Sequence, residues 1–304
     1  MGDILITGGS GFLGQHLVRK LVVDNHAVRC LDIADYANRP SGVEYIEGSF
    51  LDESLLKAAL RGCKTVYHLA CTVVPRSSNE NPHFDVVSNL GGSIRLLERA
   101  MAAGVERIIF VSSGGTVYGQ PQGDIIEETH PTDPLCSYGV TKLAIEKYLK
   151  IYAVNHGLQS VALRLSNPYG ENQRPEKGVG VIAAFCKSAL LNQPLEIWGD
   201  GSVARDFVYV EDVARALALA MNVKDDFLLA NIGSGCATSL NELIEIIEAK
   251  IGKPVERNYL PARSFDVSRV CLSIERARKK LNWSPEVGLD DGIGRVLEKL
   301  SEDM

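Results

Sequence analysis

The stretch that most limits what this chain can fold into is Thr7-Gly8-Gly9-Ser10-Gly11-Phe12-Leu13-Gly14. It follows a short apolar run at 4–7 and opens a helical pattern over 12–23. Gly8, Gly11 and Gly14 therefore sit on a strand-to-helix turn with the spacing GxxGxxG. Glycine lets the backbone turn sharply and approach a pyrophosphate, whose charge a helix amino terminus stabilises. Asp32 closes the next apolar run, 18 residues beyond Gly14. A carboxylate there accepts from ribose hydroxyls and repels a 2′-phosphate, so the expected ligand is NAD rather than NADP.

The first half of the chain repeats this alternation. Strand patterns at 4–7, 28–32, 44–46, 65–70, 107–112 and 160–166 are separated by helical patterns near 12–23, 53–61, 84–103 and 138–155. Strands that are apolar throughout are buried on both faces, which predicts an α/β fold with a doubly wound parallel sheet of the Rossmann type. After Asn167 the rhythm breaks at NPYGENQRPEKGVG. A helix near 180–191 and strands at 195–198, 205–210 and 227–232 follow, with a helix at 211–222 between the last two. From Ser239 come an amphipathic helix, an extended piece near 255–260 and two more helices. The expected division is a dinucleotide-binding domain over 1–167, rejoined by about 205–232, with a smaller discontinuous domain of 168–204 and 233–304.

Composition removes several function classes. A net charge of −6 argues against nucleic-acid binding, which needs a cationic surface. The basic cluster at 276–280, RARKK, reads as a solvated helix face. Cys30, Cys63, Cys71, Cys136, Cys186, Cys236 and Cys271 are odd in number and never spaced CxxC, against a disulfide framework or a zinc site. No apolar run approaches the ~20 residues of a membrane span. The amino terminus enters a strand pattern at once, leaving no room for a signal peptide, so the expected location is the cytoplasm.

Tyr138 and Lys142, four residues apart in a helical pattern, share one face. A free phenol has a pKa of about 10 and is a poor base at neutral pH. Positive charge from Lys142 and from an oxidised nicotinamide is expected to favour phenolate and bring it within range for proton transfer. A hydroxyl from the end of the fifth strand should join them, and Ser112, Ser113 and Thr116 all qualify by chemistry. His68 reads as a satisfied core histidine.

With these motifs the chain resembles the extended short-chain dehydrogenase/reductase family, in its nucleotide-sugar branch, and looks most like the UDP-glucose 4-epimerases. TGGSGFLG, SSGGTVYG, YGVTK, RLSNPYG and GDGSVARDFVYVEDVA carry the resemblance, which covers nearly the whole chain. It implies that Tyr138 is the acid/base and Lys142 its partner and a nicotinamide-ribose ligand. It places Phe12, Leu13, Leu69 and Ala70 along the cofactor, with Ser88 and Asn89 supporting it from the far side and Ser49 and Phe50 near adenine. Asn167, Arg205 and Arg263 match positions that hold the nucleotide diphosphate. Trp198 matches an apolar residue packed near the base and Asp266 a nucleoside contact, which makes the smaller domain a nucleotide-sugar-binding domain. A UDP-sugar substrate and a homodimer built on the helices at 84–103 and 138–155 are also implied.

Two positions depart from that pattern. Gly114 stands where related epimerases carry the active-site Ser or Thr, so Thr116 is expected to supply the hydroxyl. Ser49 stands where the family usually has Asp. Dehydratases and decarboxylases of this branch place acidic residues where this chain has Gly115 and Thr116, and Asp32 disfavours an NADP-dependent ketoreductase. Epimerisation at C4 is the reaction these residues favour, over lyase, reductase and non-catalytic sensor. Val270, where some relatives place a bulky aromatic, leaves room for N-acetylated sugars.

Overall fold

Each central strand of this protein hides both faces under helices, which is why its strands are apolar from end to end. The computed structural model describes residues 3–34, 39–174, 180–262 and 267–304. The strands are β1 (Ile4–Thr7), β2 (Val28–Asp32), β3 (Glu44–Glu47), β4 (Thr65–His68), β5 (Arg107–Ser113), β6 (Gln159–Leu165), β7 (Asn167–Tyr169), β8 (Leu195–Trp198), β9 (Ala204–Tyr209), β10 (Phe227–Ile232), β11 (Ala237–Ser239) and β12 (Arg257–Leu260). The helices are α1 (Phe12–Val23), α2 (Glu53–Ala59), α3 (Pro75–Ser78), α4 (Pro82–Asp85), α5 (Gly92–Ala102), α6 (Ser137–His156), α7 (Val181–Leu190), α8 (Val210–Ala220), α9 (Leu240–Ile251), α10 (Glu275–Leu281) and α11 (Leu289–Glu302).

A seven-stranded sheet runs in the order β10-β6-β5-β4-β1-β2-β3, with every pairing parallel. This is the doubly wound α/β fold expected from the strand rhythm. Strand order reverses between β1 and β4, and ligands of such sheets bind in the crevice at that reversal. Alternation along the strands divides the core. Ile4, Ile6, Tyr67 and Ile109 meet Leu17, Val18 and Leu21 of α1 and Val213 and Leu217 of α8. On the other face Leu5, Val66, Ile108 and Phe110 meet Leu56 of α2, Leu96 and Leu97 of α5, and Ile145 and Leu149 of α6. A third apolar cluster joins Phe185, Ile197, Tyr209, Leu243, Ile244, Ile293 and Val296.

Two expectations are corrected. The strand expected at 205–210 does not return to the large sheet: β9 pairs with β7 and β11 in a sheet of its own. β6 has one free edge, β10 occupies it, and β9 pairs instead with the chain that continues past Ser166. The helix expected over 84–103 is not one regular helix. A π-helical turn over Val86–Gly91 joins α4 to α5 and carries Ser88 and Asn89, and such turns are frequent at functional sites.

Beneath the sheet's carboxyl end, α6 is fastened by a buried ion pair. Arg164 of β6 donates through Nε and Nη2 to the two oxygens of Glu146, at 2.9 and 2.6 Å, and Ser112 of β5 donates to the same carboxylate. Both charged side chains are at most 3% exposed. The guanidinium lies 4.6 Å from the ring centre of Tyr118, whose hydroxyl donates to Asn231 of β10 at 2.6 Å. Removing one partner of such a pair strands the other charge, so Arg164→Met is expected to lower the unfolding free energy by about 3–5 kcal/mol in urea titration. The double variant Glu146→Met/Arg164→Met is expected to recover most of that loss. A single variant within about 1 kcal/mol of wild type contradicts this account of the pair.

Candidate active site

The glycine loop closes on itself by contacts that leave no space for side chains. Gly8 has φ +81°, and a Cβ there would lie 2.7 Å from the backbone nitrogen of Ala70; one on Gly14 would lie 2.2 Å from the Gly8 carbonyl oxygen. The loop thus seats α1 against the ends of β1 and β4. The amino terminus of α1 has no side-chain cap and no acidic residue in its first turn, which leaves amide donors and a positive dipole end for an anion. Asp32 accepts from the Ser10 backbone N–H at 2.9 Å, and the Ser10 hydroxyl is buried without a hydrogen-bond partner. The set fits a dinucleotide: a pyrophosphate cradle, a ribose carboxylate and an unsatisfied donor between them.

Phe12, Leu13, Leu69 and Ala70 are half-buried around this turn, and Leu69 N–H donates to Thr7. Ser88 and Asn89 are buried and brace the next segment: Asn89 Oδ1 accepts from the Thr72 N–H at 2.9 Å, and Thr72 Oγ1 lies 2.7 Å from Ser88 Oγ. Ser49 caps its own turn by accepting from Leu51 N–H, and Phe50 is buried with its ring 5.2 Å from that of His68.

Tyr138 and Lys142 face a common cleft, lined also by Ala70, Cys71, Asp85, Asn89, Phe110 and Thr141. Lys142 Nζ donates to the Val111 carbonyl at 2.8 Å and lies 5.4 Å from the Tyr138 ring centre and 4.6 Å from that of Phe110. Burial opposes the ionisation of the phenol that Lys142 and an oxidised nicotinamide together are expected to favour. Burial pushes the Tyr138 hydroxyl well up, and the carboxylate of Asp85 pushes the same way. Burial lowers Lys142, opposed by the carboxylates of Asp85 and Glu146. Desolvation is the largest effect on both groups.

The three candidate hydroxyls separate. Ser112 is turned into the Glu146 pair and is 2% exposed, whereas Ser113 is half-buried at the end of β5. Thr116 follows a turn in which Val117 N–H donates to Ser113, and its Oγ1 is buried without a hydrogen-bond partner. Gly114 has a packing cause: a Cβ there would lie 2.5 Å from Leu272 Cδ1 and 3.2 Å from the Leu165 carbonyl oxygen. Leu272 in turn is held by its N–H donating to Asp206 at 3.1 Å.

Of the expected sugar-nucleotide residues, Arg263 and Asp266 lie outside the described residues. Asn167 Nδ2 donates to the Asp206 carbonyl at 3.2 Å, and Arg205 donates to the carbonyls of Ala204 and Val267. Trp198, at the end of β8, is 38% exposed. Val270 is buried, packed in an apolar cluster with Val117, Tyr118, Ile126 and Leu272.

Sequence reasoning missed Asp85 and Thr141 of the cleft, and it missed that His68 joins them there. The spacing of Asp85 to Asn89, one helical turn, is the signal that points to the first. His68 Nε2 lies 2.9 Å from Ser93 Oγ, and Ser93 itself donates to the Asn89 carbonyl at 2.6 Å. Nε2 therefore carries the proton, and Nδ1 accepts from the Thr7 hydroxyl at 2.8 Å.

A family model described as the NAD dependent epimerase/dehydratase family matches residues 4–233. A UDP-glucose 4-epimerase of Mycolicibacterium smegmatis is 35% identical over 97% of each chain. Among solved structures, a UDP-glucose 4-epimerase from Thermotoga maritima with UDP-glucose superposes with a TM-score of 0.95 at 35% identity, over 99% of each chain. The Thermus thermophilus UDP-glucose 4-epimerase in complex with NAD gives 0.92 at 34% identity, again over 99% of each.

Burial, and then the charge of Lys142, hold His68 down at about 3. Its ring resonances are expected not to titrate between about pH 5 and 9 in the folded protein. The unfolded imidazole takes its proton near pH ~6.5, so this residue lowers stability as the pH falls from there toward 3. A folded-state midpoint at about 6.5 by NMR contradicts the assignment.

Proposed function

This chain belongs to the NAD dependent epimerase/dehydratase family, and from that premise we propose that it interconverts UDP-glucose and UDP-galactose by inverting C4 of the sugar. NAD is its cofactor. The observation that carries the reading is Tyr138 and Lys142 facing one cleft beside Ala70, at the carboxyl end of the sheet where the glycine loop closes. Gly8, Gly11 and Gly14 cradle the pyrophosphate, Asp32 holds the adenosine ribose, and Ala70, Asn89 and Lys142 line the nicotinamide end. Bound NAD supplies a reversible hydride acceptor and, when oxidised, a positive charge that offsets the burial of the phenol.

Tyr138 takes the O4 proton as C4 becomes a carbonyl and returns it once the sugar has turned over. Thr116, whose hydroxyl lacks a partner, orients O4. Asn167, Arg205 and Arg263 grip the diphosphate while Trp198 and Asp266 hold the nucleoside. Firm hold on the nucleotide and loose hold on the sugar is what a turnover within the site requires. Gly115 and Thr116 cannot take a proton from carbon, which turns the reading away from dehydration and decarboxylation. Val270, where some relatives place a bulky aromatic, extends the reading to the N-acetylated sugar pair.

Incubation with UDP-galactose is expected to give UDP-glucose with no net NADH. Loss of mass in the product, or no conversion, contradicts the epimerase reading. Tyr138→Phe is expected to lose at least ~10²-fold in kcat. Thr116→Val is expected to lose about 10–10³-fold while Ser113→Ala stays near wild type; the reverse order refutes the role of Thr116.

We also propose that two copies pair through α4, the π-helical turn after it and α6. Phe84, Val87, Val140, Ile151 and Val154 are exposed there, and Val140, Ile151 and Val154 recur at helical spacing along α6. Sedimentation is expected to show a dimer, and Ile151→Glu to weaken it; a wild-type monomer contradicts the pairing.

A further inference from the structure

Helix α6 begins without a cap of its own. Cys136 makes no side-chain bond to the first turn, and that turn holds no acidic residue. The donors at the head of the helix are instead satisfied from a distant stretch of chain. Ser137 N–H donates to Asn79 Oδ1 at 2.9 Å, and Tyr138 N–H donates to Ser78 Oγ at 3.1 Å. Ser137 Oγ donates to Asp85 Oδ2 at 2.7 Å, while Asp85 Oδ1 accepts from Asn89 Nδ2 at 2.9 Å. Asp85 is fully buried yet lines the cleft that Tyr138 and Lys142 face. A buried carboxylate at a helix amino terminus is favoured by the dipole and by each hydrogen bond it accepts.

We propose that Asp85 is a positioning residue of the proton-transfer site: it fixes the head of α6, and with it Tyr138, and its charge balances that of Lys142 across the cleft. This rests on the epimerase reading for its kinetic consequences, though not for its electrostatic ones. The groups facing the phenol are Cys71 from the segment after β4, Asp85 from α4, and Cys136 and Lys142 from the phenol's own neighbourhood on α6. Behind Lys142 stand His68 of β4 and Glu146 one turn on. Among these, Asp85 holds the carboxylate that works against ionisation of Tyr138 while favouring the charged form of Lys142. It therefore sets how much positive charge must arrive with the cofactor before the phenol releases its proton.

Asp85→Asn keeps the size and both hydrogen bonds, because the amide oxygen can accept from Asn89 while the amide nitrogen donates to the Ser137 hydroxyl. With a negative neighbour gone, phenolate forms more readily. The acid limb of the kcat–pH profile is expected to move to lower pH by roughly half to one unit, with KM little changed. The ultraviolet phenolate titration of the holoenzyme, taken as a difference against Tyr138→Phe, is expected to move in the same direction. Ser137→Ala leaves the charge and removes the tether, so kcat is expected to fall about 3–10-fold with the acid limb in place.

Profiles and phenolate titrations of Asp85→Asn that coincide with wild type overturn the electrostatic role. Wild-type kcat in Ser137→Ala overturns the positioning role, whatever Asp85→Asn does. If the wild-type protein does not turn over UDP-galactose, the epimerase reading fails, and the phenolate titration still judges Asp85.

Discussion

The ion pair between Glu146 and Arg164 is the interaction around which the site is arranged. A carboxylate on the inner face of α6 tolerates burial only where a guanidinium and a hydroxyl meet it, and β6 and β5 supply them with Arg164 and Ser112. That contact fixes the height and rotation of α6 over the sheet. Lys142, one turn earlier, then reaches the Val111 carbonyl, and Tyr138, one turn earlier again, stands over the end of the parallel strands. The proposed acid/base, its partner cation and the anchor are residues 138, 142 and 146 of a single helix face.

The two halves of the crevice are built by opposite means. On the β1 side, glycine removes side chains so that backbone can approach backbone, and the bare amino terminus of α1 is left open to an anion. On the β5 side, polar side chains crowd together, and buried hydrogen bonds running from Thr7 through His68 and Ser93 to Asn89 hold the wall between the halves. The phenol stands in the second half, where burial opposes its ionisation. Positive charge brought by a bound cofactor therefore counts for more than it would in water.

Much of this was legible from residue order. Period and β-branching give β1 and β2 to the residue and place α1, because strands buried on both faces and a helix opened by glycines leave little ambiguity. The Tyr138–Lys142 pair is legible because helix geometry alone brings i and i+4 together. What escaped is what depends on contacts distant in sequence. β9 and β10 look alike as strings, and only competition for the single free edge of β6 separates them. Ser78, Asn79 and Asp85 cap a helix that begins more than fifty residues later, a relation no local pattern encodes. Ser112 and Thr116 offer the same hydroxyl chemistry, and only the pleat of β5 and the turn after Ser113 send one into an ion pair and leave the other unsatisfied. Gly114 reads as a missing hydroxyl until Leu272 is seen filling its place.

A site that removes hydrogen from a sugar carbon and restores it to the same carbon must keep that hydrogen from water. The most direct test is the fate of deuterium at C4. UDP-galactose labelled there, incubated with holoenzyme in ordinary water, is predicted to yield UDP-glucose that retains the label at C4. UDP-glucose that has lost deuterium to solvent would contradict a phenol and an ammonium serving a reversible hydride transfer in this cleft.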